Sequence, residues 1–268
     1  MTEIFQELVK ETISKIERLE SRSRSPKAQL RFNHAVETTL IDLWKATHCI
    51  PTRECAINKR IGYYSENPQY GDPLLAYKQT MAAFNGLHLI GYIEVTKEGY
   101  FDRRILQGSL TKFVARDELL ERLHEIEDHP ALTIKQDLNR ESIILRNVID
   151  GQRKAIEYDN TPKTDEYRQN LKTINQCFQK HWADLEIKDA ALAALEDRIS
   201  SDDEKQPIDL SARSLVRIFS NGSFKEGGRF YRGWWQNVPS EYRKHITIDM
   251  KRTVEYDFSQ LKPHMLYY

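Results

Sequence analysis

Apolar residues recur at near-helical spacing along four stretches of the chain. Ile4, Leu8, Ile13, Ile16 and Leu19 predict an amphipathic helix over 4–21. Leu30, Phe32, Val36, Leu40, Leu43 and Trp44 predict a second over 27–48, opened by Pro26 after the polar SRSRSP stretch. Residues 74–89 predict a third, ended by Asn85-Gly86. Tyr167, Leu171, Ile174, Phe178 and Trp182 share one face of a fourth over 164–185, started by Pro162. Between these the pattern changes. IPTRECAINKRIGYY at 50–64 reads as a short helix opened by Pro51-Thr52, and ENPQYGDP at 66–73 is turn chemistry. Residues 90–108 alternate about Lys97-Glu98-Gly99 and predict a β-hairpin. Residues 110–126 return to a helical pattern. Ile143-Ile144-Leu145 predicts a strand, 148–161 a loop, SSDDEK at 200–205 a linker, and TVEYDF at 253–258 a strand.

Helix, helix, helix, then hairpin is the element order of a winged helix-turn-helix, whose second helix reads duplex while the hairpin wing flanks it. The fold class expected is therefore α+β and mostly helical. Residues 1–126 would be a helical region with the winged helix, 127–206 a helical connecting region, and 207–268 a separate α+β fragment. The wing would carry Lys97, Arg103 and Arg104, and the short helix at 50–64 would carry Arg53, Lys59 and Arg60 as further nucleic-acid contacts.

The chain has 40 basic and 40 acidic residues, yet they are unevenly spread. Residues 22–116 hold 14 basic against 8 acidic side chains, 117–210 hold 13 against 22, and 211–268 hold 10 against 5. Two basic regions thus flank an acidic one, the pattern of a chain with a polyanionic partner. No apolar run reaches the ~20 residues of a membrane span, so no membrane partner is expected. Cys49, Cys55 and Cys177 form neither a disulfide framework nor a zinc spacing, which points to a reducing, cytoplasmic setting. His48, Cys49 and Cys55 are read as a helix-end histidine and packed thiols, in preference to a metal site.

The tail holds the densest candidate chemistry. Gly227, Gly228 and Gly233 stand among Arg229, Arg232, Trp234 and Trp235. Glycine lets a backbone approach a ligand, arginine offers forked donors to phosphate, and aromatic rings stack on bases. The TVEYDF strand delivers Asp257 at its end, a placement that suits Mg²⁺, although one such aspartate is more often a cap or turn residue.

Gln236-Asn237-Val238-Pro239 followed by Asp257-Phe258-Ser259-Gln260-Leu261 resembles the start of the family A DNA polymerase palm. There Gln-Asn-Ile-Pro precedes Asp-Tyr-Ser-Gln-Ile-Glu-Leu-Arg. Gly228-Arg229-Phe230-Tyr231 is similar to the Gly-Arg-x-Tyr element of single-subunit, phage-type RNA polymerases. The whole order, with Tyr158-Asp159-Asn160-Thr161 in the middle, is similar to replication-type proteins of phages and mobile elements. The resemblance to the palm covers about residues 210–268. It implies a polymerase-palm-like fragment in which Asp257 is the catalytic, metal-holding carboxylate with Mg²⁺ as cofactor, and Arg229 and Gln236 touch primer–template or nucleotide. Lys262 and His264 stand where the family has Glu and Arg, which puts sugar selection in doubt. The later palm carboxylate and the fingers helix do not occur before Tyr268. The reading that follows is a nucleic-acid-binding, replication-associated protein with DNA or RNA and other replication proteins as partners, inactive as a polymerase by itself. The alternatives are a nucleotidyltransferase or primase fragment using Asp257 with Glu255 or Asp249, and a protein-interaction or defence factor that mimics a polymerase.

Overall fold

The computed structural model describes residues 3–49, 52–65, 68–102, 107–134, 137–200 and 208–254. The fold is α+β, with helices concentrated towards the N-terminus and several small sheets.

Helix α1 (Glu3–Glu17) buries Phe5, Leu8, Val9, Thr12 and Ile16 along one stripe. Helix α2 (Pro26–Thr47) starts where Ser25 accepts a hydrogen bond from the Ala28 amide with Pro26 in the first turn, and buries Phe32, Val36, Leu40, Leu43 and Trp44. Phe5 stacks on Trp44 with ring centroids 5.2 Å apart. Helix α3 (Tyr77–Leu89) crosses α1 at Gly86, where a Cβ would lie 2.6 Å from Ile16 Cγ2; glycine is what allows the crossing. Each large side chain so buried contributes about 1.5–3 kcal/mol.

Residues 52–64 and 110–126 depart from the helices expected there. Cys55–Ile57 is a strand (β1), and only Ile61–Tyr64 forms a 3₁₀ turn. Thr111–Ala115 is a strand (β5), and helix α4 is confined to Asp117–His124. With β2 (Ile93–Lys97) they form an antiparallel sheet in the order β1-β5-β2. Ile57, Ile93 and Phe113 point into the α1–α3 core, and this tertiary burial overrides the helical spacing of the sequence. The hairpin extends beyond Lys97-Glu98-Gly99 through β3 (Tyr100–Asp102) and β4 (Gln107–Ser109). Gly99 lies within the hairpin instead of reversing it: a Cβ there would sit 2.5 Å from the Thr111 amide nitrogen.

After the short α5 (Pro130–Thr133), strand β6 (Ile143–Ile149) turns through Asp150-Gly151 into β7 (Gln152–Ala155), in a segment expected to be loop. Helix α6 (Pro162–Lys180) opens on a reciprocal Thr161–Thr164 cap. Strand β8 (Ala183–Leu185) and α7 (Asp189–Ser200) follow, then β9 (Val216–Ser220), β10 (Ser223–Tyr231), the short α8 (Ser240–Arg243), β11 (Ile246–Ile248) and β12 (Lys251–Arg252). The main sheet has the order β10-β9-β6-β7, with β6 parallel to β9 and the other pairs antiparallel. Tyr167, Leu171, Ile174 and Phe178 of α6 pack on Ile143, Leu145 and Phe219 of one face. Asn175 is buried and copies a strand neighbour: it donates to Leu215 O at 2.9 Å and accepts from Leu215 N at 2.8 Å.

The N-terminal helices are tied to this sheet. Tyr70 Oη donates to Ile156 O (2.6 Å) and accepts from Leu145 N (3.2 Å), while Gln69 bonds both backbone groups of Tyr158. Among the described residues no helix is long and apolar enough to cross a membrane.

Candidate nucleic-acid interface

The site begins with a hairpin. Asn221 and Gly222 adopt φ of 56° and 65°, the left-handed pair of a tight turn between β9 and β10. Further along β10 the register slips at Gly227 and again before Arg229, forming a bulged segment. Gly228 has φ +79°, and a Cβ on it would meet Phe219 Cε1 at 2.9 Å and the Arg217 guanidinium at 3.2–3.3 Å. Arg217 Nε donates to Gly228 O at 2.8 Å, and its guanidinium lies over Tyr167 at 4.4 Å and Phe219 at 4.9 Å. The glycines that looked suited to a ligand's approach thus accommodate Arg217 and a bulge.

That bulge fixes which residues of β10 face which way. Arg229 pairs with Ile218 and Tyr231 with Val216, so both lie on the sheet face away from α6. Residues paired across an antiparallel ladder share a face. Arg146 is opposite Ala155 and Arg153 opposite Val148 on β6 and β7, and Ile144 is level with Ile218 across the parallel pair. One face therefore carries Arg146, Arg153, Arg229 and Tyr231 around a buried aliphatic strip of Ile144, Val216 and Ile218. Arg153 and Arg229 are exposed, and Tyr231 is 42% exposed.

Arg232 follows the last residue of β10 at φ +79°, a conformation that costs a non-glycine residue of order 1–3 kcal/mol. The residue is exposed as a whole, yet its guanidinium is partly desolvated. That burial, and then the positive charge of Arg146, hold it below the usual arginine range. Among the described residues no carboxylate forms an ion pair with Arg146, Arg153, Arg229 or Arg232.

Trp234, Trp235 and Gln236 serve the scaffold. Trp234 is fully buried with Leu185, Leu195, Ile199, Ile208 and Val238, so it offers no ring to a strand, contrary to the expectation for it. Trp235 is half-buried between that core and α6, with its ring 5.0 Å from Phe178. The indole crosses Gly233, where a Cβ would approach to 2.5 Å. Gln236 bridges its own loop, accepting from Gly233 N (3.2 Å) and donating to Phe230 O (2.9 Å).

In the N-terminal region Arg53 donates to Ile208 O, Lys59 pairs with Glu98 at 2.9 Å, and Arg60 lies over the Phe101 ring at 5.8 Å. Lys97 is exposed on the hairpin. Arg103 and Arg104, like Glu255 and Asp257, lie outside the described residues. Asp249 is bound to His181 Nδ1 and the Trp182 amide, contacts that hold its carboxyl below the usual range. Among the described residues no group of three or more His, Cys, Asp or Glu could hold a metal ion. Burial pushes the Cys55 thiol up to about 12, consistent with a packed thiol.

Arg146 and Arg153 carry no motif of their own and were not expected at the site. They flank Asp150-Gly151, and an Asp-Gly pair between two alternating stretches is a hairpin signal that would have brought them together. No family model, no curated protein and no solved structure matches this chain.

Proposed function

We propose that this chain is a nucleic-acid-binding, replication-associated protein that holds its partner on two surfaces. The observation that carries the reading is the sheet face with Arg146, Arg153, Arg229 and nearby Arg232, uncompensated by carboxylates among the described residues. Clustered unpaired guanidinium groups repel one another, and a polyphosphate backbone relieves that repulsion. The N-terminal surface is read as a winged helix. Support comes from α2, β1, the 61–64 turn, α3 and then the β2–β5 hairpin, in a sheet ordered β1-β5-β2. The palm resemblance belongs to the same reading, with Asp257 and Mg²⁺ as its proposed metal centre. The test is fluorescence anisotropy of the full chain with a labelled duplex carrying a single-stranded extension, across a salt series. Affinity is expected to fall linearly on logarithmic axes with a slope of about −3 or steeper, as four or more phosphate contacts require. Absence of binding at low salt would end the nucleic-acid reading.

A further inference from the structure

Resting on that reading, we infer that the β11–β12 hairpin is a duplex-bending wedge, with Met250 as the side chain that enters a base step and Lys251 and Arg252 as the phosphate contacts beside it. Among the described residues three hairpins reverse through two left-handed residues: Asp150-Gly151 (φ 52° and 74°), Asn221-Gly222 (56° and 65°) and Asp249-Met250 (50° and 62°). Glycine suits the second position of such a turn, because it has no Cβ to clash there. Two of the three turns use it. The third has methionine, a long side chain at a backbone conformation that disfavours it. Little of that side chain packs on the fold: Met250 is 87% exposed, more than any other large apolar residue described. Nor is the turn loose. Asp249 N donates to Trp182 O (2.7 Å), and the Asp249 carboxylate accepts from Trp182 N (2.8 Å) and meets His181 Nδ1 at 2.6 Å. Anchored through Asp249 to the residues just before β8, the turn holds Met250 out from the protein at a fixed place. Cations flank it. Lys251 and Arg252 are exposed and consecutive on β12, so they leave opposite faces of the ribbon. Among the described residues neither forms an ion pair, and the turn's own carboxylate is taken up by His181. One apolar side chain between two cations matches a duplex groove, where a base step takes a single apolar wedge and phosphates run along both edges. The tip has only Met250 with the 44% exposed Ile248 behind it, a small area for a lipid surface, whose grip scales with the apolar area buried.

The experiment adds the full chain to a blunt duplex of about 24 base pairs with a central TA step, the kind most easily unstacked, labelled at both ends for resonance energy transfer. Wild type is expected to bend the bound duplex by about 20° or more. Met250→Gly should bind but leave the duplex straight, while its melting temperature rises by about 2 °C because glycine suits the turn. Lys251→Gln should show a salt slope shallower by about 0.9, one duplex phosphate contact. A straight duplex in the wild-type complex, an undiminished bend or a lower melting temperature in Met250→Gly, or an unchanged slope in Lys251→Gln would overturn this inference while leaving duplex binding in place. Binding to anionic vesicles that Met250→Gly abolishes, with the duplex left straight, would overturn it in favour of a lipid surface. If the blunt duplex fails to bind and the duplex with a single-stranded extension binds, this inference falls alone; if neither binds, the wider reading falls with it.

Discussion

Replacing Gly228 with alanine tests how the β10 bulge is built. The residue sits at φ +79°, and the left-handed region costs an L-residue about 1–2 kcal/mol. The added Cβ also meets Phe219 Cε1 at 2.9 Å and the Arg217 guanidinium at 3.2–3.3 Å. If Arg217 moves away, its charge-assisted bond to Gly228 O is lost, a further ~1.5–3 kcal/mol. The expected loss for Gly228→Ala is therefore about 2.5–5 kcal/mol, large against a typical total of 5–15 kcal/mol. Gly151 supplies the control. It has nearly the same backbone, φ +74°, but no atom lies within 4 Å of the position a Cβ would take, so Gly151→Ala carries the backbone cost alone. Urea unfolding followed by tryptophan fluorescence gives both values. Equal losses for the two variants would refute the claim that Arg217 and Phe219 occupy the space a side chain would need.

Asn175→Leu keeps the volume but leaves the buried amide and carbonyl of Leu215 without partners, so a loss of about 2–4 kcal/mol is expected, read as a fall in Tm of several degrees. Trp234→Ala should cost ~3–5 kcal/mol as a deleted core aromatic, measurable by the same urea titration. Lys45→Met should flatten the acid side of the stability profile. Burial raises the Asp209 carboxyl, but the charge and hydrogen bond of Lys45, with bonds from Ser211, overcome this and hold it below the usual range. A depressed carboxylate stabilises the fold above its unfolded value of ~3.9 and loses that contribution as pH falls through the lower folded value. Wild type and Lys45→Met should therefore converge below about pH 4 in thermal melts; parallel curves would contradict the assignment.

The helices were legible because their signals are local. Pro26 and Pro162 open α2 and α6 where the sequence places them, and the burial of Leu171 on α6 follows from its spacing with Tyr167 and Phe178. Strands β1 and β5 were not legible. Cys-Ala-Ile and Thr-Lys-Phe-Val-Ala are too short to show a period, and their pairing joins residues more than fifty positions apart. The same limit applies to the candidate site. Arg229 and Arg232 stand out beside the glycines, but Arg146 and Arg153 come from another hairpin and join them only through the parallel β6–β9 contact. Trp234 illustrates the converse error: composition cannot distinguish a stacking ring from a core ring, and only the packing of α7 and Ile208 around it decides.

The most direct measurement of the central claim is the salt dependence of oligonucleotide binding by Arg146→Gln/Arg229→Gln compared with wild type. Both residues lie on the same sheet face and neither pairs with a carboxylate among the described residues. Loss of two single-strand phosphate contacts should make the slope of log K against log salt shallower by about 1.4, with the thermal unfolding midpoint little changed. A double variant that binds with wild-type affinity and wild-type slope would contradict the assignment of this face to nucleic acid.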